Sequence, residues 1–167
     1  MASIGIFFGS TTGNTEAVAN KIEDALDNYE TEVINVADAS AEDLQRFDYI
    51  ILGASTWGIG ELQDDMDEFL PKLETSMYGK KAAIFGLGDA EEYPDSFADS
   101  IGCLYDVIND KAEVVGKFPT TGYNYSSSAA EIDEGTFAGL PLDEDNESKH
   151  TDKRIKKWVA LLNEEFK

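Results

Sequence analysis

Three runs of apolar residues are the feature that most constrains the fold of this chain. They are "SIGIFFG" at 3–9, "DYIILGA" at 48–54 and "KKAAIFGLG" at 80–88, and each precedes a segment with apolar residues at helical spacing. A strand that is apolar on both faces has to be covered on both sides, as in a parallel sheet between layers of helices. The sequence therefore predicts an α/β fold with ligand-binding loops at the carboxyl ends of the strands.

Two further strands complete the predicted sheet. "TEVINV" at 31–36 reads as the second strand, and "AEVVGKF" at 112–118 begins the fifth. Residues 119–150 are long and turn-rich, and "GTFAGLPLD" within them has the pattern of a strand, so we interpret the segment as an excursion that returns to the sheet. Asn14 and Thr151 are predicted caps of the first and last helices. With no internal repeat, one domain spanning 1–167 is expected.

The charge balance restricts the partners of the protein. Asp and Glu number 34 against 13 Lys and Arg, which gives a net charge of -21. This balance argues against nucleic acid and against an anionic membrane surface, and it favours a basic protein partner, although solubility alone also explains it. No signal peptide or membrane-spanning run is predicted, and a single cysteine, Cys103, expected in the core, indicates a reducing compartment.

The loop after the first strand has the character of a phosphate site. It reads Gly9-Ser-Thr-Thr-Gly-Asn-Thr15 and leads into a helix, with four hydroxyl side chains and no Lys or Arg. A helix N-terminus offers free N–H groups and a positive dipole end, to which hydroxyls add neutral donors. The alternative is an ordinary Ser/Thr cap. Because Asn14 occupies the place of the Walker lysine, phosphoryl transfer is a poor interpretation.

The loops after the third and fourth strands each carry one aromatic residue. Trp57 lies in "ASTWGIGEL" at 54–62 and Tyr93 in "GLGDAEEYPDSF" at 86–97. Either residue alone could simply pack against the core. Together with a phosphate site they favour a phosphorylated planar heterocycle, since aromatic side chains stack on flat rings. A dinucleotide fingerprint is not complete in the second loop, because Glu91 replaces its third glycine.

The surroundings of these two loops carry charge of one sign. Residues 47–71 and 82–110 contain no Lys or Arg but many carboxylates. Such a site disfavours addition of negative charge to a bound ring. A calcium loop is not expected at 143–154, because Ser148 and Arg154 occupy the positions that need Gly and Glu. The one histidine, His150, is expected on the surface, so neither a zinc site nor a His-based triad is predicted.

Taken together, these motifs resemble those of the flavodoxins of the long-chain kind. The resemblance covers the whole chain and rests on "GSTTGNT", "TWGIGEL", "GLGD" with Tyr93, and "FAGLPLDEDNESKHTDKRIKKW". It implies a flavodoxin-like, doubly wound three-layer sandwich. The five-stranded parallel sheet would have the order 2-1-3-4-5, and an insertion at about 119–140 would interrupt the fifth strand.

The resemblance also implies a cofactor and a function. The cofactor is non-covalently bound FMN, and the function is low-potential one-electron transfer between redox proteins, shuttling between semiquinone and hydroquinone, without substrate turnover by the protein itself. An FMN-dependent NAD(P)H:quinone reductase on the same fold is the alternative. Seventeen residues are carried over as cofactor-binding: Ser10, Thr11, Thr12, Gly13, Asn14, Thr15, Ser55, Thr56, Trp57, Gly58, Ile59, Gly60, Leu87, Gly88, Asp89, Tyr93 and Asp145. No catalytic residue and no metal ligand is expected.

A basic redox partner is expected to dock on the acids near the flavin. The predicted docking residues are Glu61, Asp64, Asp65 and Asp67. Candidate partners are a ferredoxin/flavodoxin-NADP reductase, photosystem I, a nitrogenase reductase and a 2-oxoacid oxidoreductase. A monomer in the cytoplasm is expected, or in an organelle stroma if the source is a photosynthetic eukaryote. Gly58 stands where several long-chain members carry Asn, and glycine tolerates the positive φ of a flipped peptide at little cost.

Overall fold

A parallel sheet covered by helices on both faces is the centre of the fold, as seen in a computed structural model that describes all residues 1–167. Its main strands are β1 (Ser3–Gly9), β2 (Glu30–Asn35), β3 (Tyr49–Trp57), β5 (Lys81–Leu87), β6 (Glu113–Val115) and β10 (Leu140–Leu142). The order is β10-β5-β3-β1-β2, with β6 beside β5 and all these neighbours parallel. The predicted order 2-1-3-4-5 is confirmed.

The fifth position of the sheet is filled by two separate segments. β6 pairs with Lys81–Ala83 of β5, and β10 pairs with Phe85–Leu87 further along the same edge. The chain between them forms a small antiparallel sheet of β7 (Phe118–Pro119), β8 (Glu131–Asp133) and β9 (Thr136–Phe137), in the order β7-β9-β8. The predicted interruption of the fifth strand is therefore confirmed.

Four α-helices cover the sheet in two pairs. They are α1 (Asn14–Ala25), α2 (Asp64–Ser76), α3 (Asp99–Ile108) and α4 (Ser148–Glu165), and short 3-10 turns occupy Val36–Asp38 and Glu42–Arg46. α1 packs on α4 and α2 packs on α3, which gives the predicted three layers. Apolar side chains of both layers and of the sheet merge into one cluster of 44 buried residues. None of the helices combines the length and apolarity needed to span a bilayer.

Three local predictions were wrong. α1 begins at Asn14 itself, and its N-cap is Gly13 in the left-handed region at φ 93°. α4 begins at Ser148, so Thr151 lies inside the helix, where it is buried and donates its hydroxyl hydrogen to Glu144. Cys103 is half-buried against the core rather than inside it, and burial raises the pKa of its thiol.

The ends of three adjacent strands lie level at one edge of the sheet. In the parallel register Gly9 of β1 is opposite Ala54 of β3, and Ser55 of β3 is opposite Leu87 of β5. The loops that follow these strands therefore start side by side. This alignment brings together stretches of sequence more than 70 residues apart.

Candidate cofactor-binding cleft

The loop between β1 and α1 presents a set of free backbone donors. The N–H groups of Thr11, Thr12, Asn14 and Thr15 donate to no acceptor within the protein, whereas the N–H of Gly13 donates to Ser10 Oγ at 3.0 Å. Free N–H groups at a helix N-terminus form an anion site without any charged side chain. The loop thus has the donors for a phosphate, as its sequence predicts.

Two hydrogen bonds fix this loop to the neighbouring parts of the site. Thr15 is fully buried, and its hydroxyl lies 2.7 Å from Ser55 Oγ at the end of β3. Gln63 Nε2 donates to Thr11 Oγ1 at 3.1 Å, and Gln63 Oε1 accepts from the N–H of Met66 as the cap of α2. A Cβ at Gly9 would lie 2.2 Å from Gln63 Oε1, so this approach requires glycine. Thr15 and Gln63 therefore position the loop rather than face the cleft.

The loop after β3 is the turn of a short hairpin. β3 ends at Trp57, and β4 (Glu61–Leu62) returns antiparallel to it, with Trp57 opposite Glu61. Gly58 and Gly60 adopt φ values of 48° and 82°, and the side chain between them, Ile59, is 86% exposed. The turn holds Trp57 half-buried at the edge of the sheet, with one side available to the cleft.

The loop after β5 is organised around the Asp89 carboxylate. Asp89 Oδ1 accepts from the N–H groups of Glu91 at 3.1 Å and Glu92 at 2.9 Å, and from Asn146 Nδ2 at 2.7 Å. The N–H of Tyr93 donates to the Asp89 carbonyl at 2.9 Å, which closes the turn and leaves the Tyr93 side chain 37% exposed. The carboxylate thus shapes the loop that presents Tyr93.

The loop after β10 supplies a fourth wall that the sequence reasoning largely missed. Buried Asp143 accepts from the N–H of Ala90 at 3.1 Å, and Asn146 links Asp143 to Asp89. Glu144 and Asp145 face the cleft from this loop. Of the residues in this loop, only Asp145 was predicted. The sequence signal for Asp143 and Glu144 was a run of acidic residues directly after a strand.

Two carboxylates of the cleft have pKa values shifted in opposite directions. Burial alone would raise the pKa of Asp89, but the hydrogen bonds from Glu92, Asn146 and Glu91 stabilise the anion and lower it. Burial raises the pKa of Asp145, and repulsion from the neighbouring carboxylates, Asp89 first, adds to the rise. The ionised form of Asp89 is therefore stabilised by hydrogen bonds, whereas the ionised form of Asp145 is destabilised by burial and by repulsion from neighbouring carboxylates.

These four loops enclose an open cleft of about 390 Å³. A volume of this size suits a cofactor or small ligand. The lining residues are Thr12, Asn14, Ser55, Thr56, Trp57, Gly58, Leu87, Gly88, Asp89, Tyr93, Glu144 and Asp145. All but Glu144 are among the predicted residues. Six predicted residues do not line the cleft: Ser10, Thr11, Gly13, Thr15, Ile59 and Gly60. Of these, Ser10, Thr11 and Thr15 form hydrogen bonds that shape the loops. The side chain of Ile59 is exposed to solvent.

The predicted docking acids lie beside the cleft in one short stretch. Glu61 is exposed in β4, and Asp64, Asp65 and Asp67 occupy the first turn of α2. Acids in this position also stabilise the helix, because they face its positive dipole end. No group of His, Cys, Asp and Glu in the protein has the arrangement of a metal site.

Comparison with known proteins identifies relatives over the full length of the chain. A profile of the flavodoxin family matches residues 6–158. Flavodoxin of Klebsiella pneumoniae is 44% identical over 168 residues, and flavodoxin 1 of Escherichia coli K12 is 43% identical, with 99% of this chain and 96% of each relative covered. The crystal structure of Fusobacterium nucleatum flavodoxin bound to flavin mononucleotide superposes with a TM-score of 0.92 at 35% identity, covering 100% of both chains.

Proposed function

This chain belongs to the flavodoxin family, and from that premise we propose that it binds FMN non-covalently and carries single electrons between redox proteins. The observation that carries the proposal is one cleft whose lining joins Thr12 and Asn14, two residues with free N–H groups at a helix N-terminus, to two aromatic side chains. That combination matches the two chemically distinct halves of FMN, a phosphate and a flat ring. We further propose that residues 1–167 act as a single domain.

The loop of residues 10–15 is the proposed holder of the FMN phosphate. Its free N–H groups and the hydroxyl of Thr12 would donate to the phosphate oxygens, and the dipole of α1 would favour the negative charge. Thr15 and Ser10 act indirectly, since their own hydrogen bonds fix the loop. Fixed neutral donors bind an anion without a counter-ion. The negative charge of the phosphate is therefore not neutralised, and it also repels negative charge that is added to the ring.

Trp57 and Tyr93 are the proposed contacts for the flat ring. Both line the cleft, one at the end of β3 and the other in the loop after β5. Backbone groups of Thr56, Gly58 and Gly88 line the space between them and are suited to hydrogen bonds with the ring edge. Gly58 already has φ 48°, so its peptide can reorient without the strain that a side chain would introduce.

When bound, FMN supplies the one-electron redox chemistry, and the protein sets its potentials. The carboxylates of Asp89, Glu144 and Asp145 face the cleft, and no Lys or Arg lines it. At an effective dielectric of about 20, one unit charge about 8 Å away disfavours an added electron by roughly 2 kcal/mol before screening. These side chains therefore lower the potential of the step that adds negative charge to the ring.

Anaerobic reductive titration of the FMN-loaded protein tests the proposal. We expect stoichiometric FMN binding and two separate one-electron steps, the second at strongly negative potential. A single two-electron step, or failure to retain FMN, would contradict the proposal. Rapid NADPH oxidation by the protein alone would instead support the quinone-reductase alternative.

The proposed partners are basic redox proteins, such as a ferredoxin/flavodoxin-NADP reductase, and they would dock on Glu61, Asp64, Asp65 and Asp67. The protein itself is proposed to be a monomer in the cytoplasm. The support is that Glu61 lies opposite Trp57 in the hairpin and that the three aspartates follow in the first turn of α2. Complementary charge speeds encounter and is screened by salt. Electron transfer from such a reductase should slow by about tenfold or more between low and high ionic strength. A salt-independent rate would exclude docking on these acids.

A further inference from the structure

The cations of this acidic protein are concentrated in one part of one helix. Five of the 13 Lys and Arg residues, and the only histidine, fall within residues 149–157 of α4. Residues on one face of a helix recur three, four and seven positions apart. His150, Lys153, Arg154 and Lys157 have this spacing, so they form a basic stripe along α4.

This stripe is one wall of a second cleft, distinct from the one described above. The cleft has a volume of about 280 Å³ and lies between α4 and the start of the inserted segment. His150, Lys153, Arg154 and Lys157 line one side, and Phe118, Thr121, Gly122 and Tyr123 line the other. His150 is therefore half-buried in a cleft rather than free on the surface as predicted.

Arg154 is held in place by contacts on several sides. Its Nη2 donates to the Gly122 carbonyl at 3.1 Å, and its guanidinium lies 4.0 Å from the centre of the Tyr123 ring. Nη1 lies 3.1 Å from Glu147 Oε1, yet it is the one buried side-chain nitrogen or oxygen without an aligned hydrogen bond. The guanidinium is thus fixed at the wall of the cleft by Glu147, Gly122 and Tyr123.

Four other donors of the cleft form no ion pair or hydrogen bond within the protein. Lys153 and Lys157 take part in none of the seven ion pairs, although carboxylates outnumber cations more than two to one. The N–H groups of Thr121 and Gly122 also donate to no protein acceptor. Because Glu147 balances Arg154, the net positive charge of the cleft comes from the two lysines.

We propose that this basic cleft binds the phosphate group of a small molecule. A fixed guanidinium and two free ammonium groups match the charge of a phosphate, and two consecutive free N–H groups provide further donors to its oxygens. The site differs from the loop of residues 10–15, which has neutral donors only. The proposal does not depend on the flavin function, because the two clefts share no residue.

Amide NMR of the ¹⁵N-labelled protein with FMN added tests the proposal by location. Inorganic pyrophosphate and glycerol 3-phosphate are titrated separately, at constant ionic strength maintained with sodium chloride. We expect saturable shifts at Thr121, Gly122 and the α4 residues 153–157, with the amides of residues 10–15 unchanged. Tighter binding of one probe identifies the source as inorganic or organic phosphate. Shifts that fail to saturate with both probes would overturn the proposal.

A matched pair of charge variants separates a built site from diffuse attraction. Lys153→Gln with Lys157→Gln removes the two cleft lysines, whereas Lys149→Gln with Lys156→Gln removes two exposed lysines of the same helix outside the cleft. We expect at least about tenfold weaker binding in the first variant and less than about twofold change in the second. Equal losses in both would overturn the proposal. All four side chains are exposed, so neither variant should affect folding.

Discussion

The two ends of the flavin cleft present opposite electrostatic surfaces to a ligand. The end formed by residues 10–15 offers free N–H groups and hydroxyls and contains no charged side chain. The end between the later loops is lined by the carboxylates of Asp89, Glu144 and Asp145. Fixed dipoles attract an anion without adding net charge, whereas carboxylates act on whatever charge the ligand later acquires.

This difference separates affinity from redox tuning. The neutral end can bind the FMN phosphate equally well whether the flavin ring is oxidised or reduced, because the donors of this end do not change when the ring is reduced. The acidic end interacts weakly with a neutral ring and strongly with a reduced, anionic one. Binding energy and potential are therefore set by different residues, and single substitutions should change one without the other.

The largest expected effect comes from placing a charge in the neutral end. Thr12 lines the cleft, and Thr12→Asp would put a carboxylate beside the proposed position of the phosphate, at a separation taken as about 4 Å. Two unit charges at that distance repel by about 4 kcal/mol at an effective dielectric of 20. We expect FMN to bind at least about 100-fold more weakly, measured by quenching of flavin fluorescence in a titration of the apoprotein.

Thr12→Asn is the matched control, since it has nearly the same shape as Asp and no charge. It should retain FMN affinity to within about tenfold. If both substitutions weaken binding equally, shape rather than charge decides affinity at this end. The neutral donor explanation of the loop would then be wrong.

The next effect concerns the aromatic contact at the edge of β3. Trp57→Ala removes a half-buried ring that lines the cleft, and stacking on an aromatic side chain contributes about 1–3 kcal/mol. FMN affinity should fall by about tenfold or more in the same fluorescence titration. Trp57→Phe keeps a ring and should recover most of the loss. Unchanged affinity in the Ala variant would show that Trp57 only packs.

Much of the fold follows from the sequence because its signals are local. Apolar runs such as 3–9 and 80–88 mark buried strands. The strand order, in contrast, was implied by the resemblance to the long-chain flavodoxins. The caps were predicted less well. Asn14 and Thr151 are good capping residues by type, but Gly13 in a left-handed conformation begins α1, and α4 starts before Thr151. The position of a cap depends on how the preceding loop is held by tertiary contacts.

Residues of the candidate site also differ in how well the sequence predicts them. Residues that face the cleft, such as Trp57 and Tyr93, stand directly in loops after predicted strands. Two residues that hold the loops, Gln63 and Asn146, were missed, because their partners are distant in sequence. Gln63 reaches Thr11 across 52 residues, and Asn146 reaches Asp89 across 57. Polar residues in such supporting positions have no local pattern that distinguishes them from surface residues.

A smaller effect is expected at the acidic end. Asp64→Asn, Asp65→Asn and Asp89→Asn together remove one carboxylate of the loop that carries Tyr93 and two of the first turn of α2, which follows the Trp57 hairpin. The potential of the second one-electron step should rise by some tens of mV, since about 1.4 kcal/mol corresponds to 59 mV and solvent screens the two acids of α2. FMN affinity of the oxidised form should change little. Spectroelectrochemical titration measures both steps.

The control for that variant removes the same charge far from the cleft. Asp24→Asn, Asp27→Asn and Glu30→Gln alter acids near the end of α1 that is remote from the loop of residues 10–15. An α-helix rises about 1.5 Å per residue, which places these groups about 15 Å or more from that loop. Their removal should leave the potential nearly unchanged. Equal shifts in both variants would mean that total charge, not the acidic end, sets the potential.

The smallest expected effect is a difference in stability between two carboxylates of the acidic end. Burial and the neighbouring acids raise the pKa of Asp145, so its ionisation opposes folding at neutral pH, and this cost disappears when acidification protonates it in both states. Hydrogen bonds lower the pKa of Asp89, so its ionisation stabilises the fold above the unfolded-state pKa, and that contribution is lost as pH falls through the folded-state pKa.

Single Asn variants of these two residues should therefore act in opposite directions in the apoprotein. At pH 7, Asp145→Asn should raise the melting temperature by about 1–2 °C, a small gain because the side chain is exposed and its repulsion is screened. Asp89→Asn should lower it. Both differences from the parent should shrink as the pH is brought toward 3 in thermal unfolding followed by circular dichroism. If both substitutions raise the melting temperature at pH 7, repulsion from the neighbouring carboxylates outweighs the hydrogen bonds of Asp89. These hydrogen bonds would then not stabilise the loop that carries Tyr93.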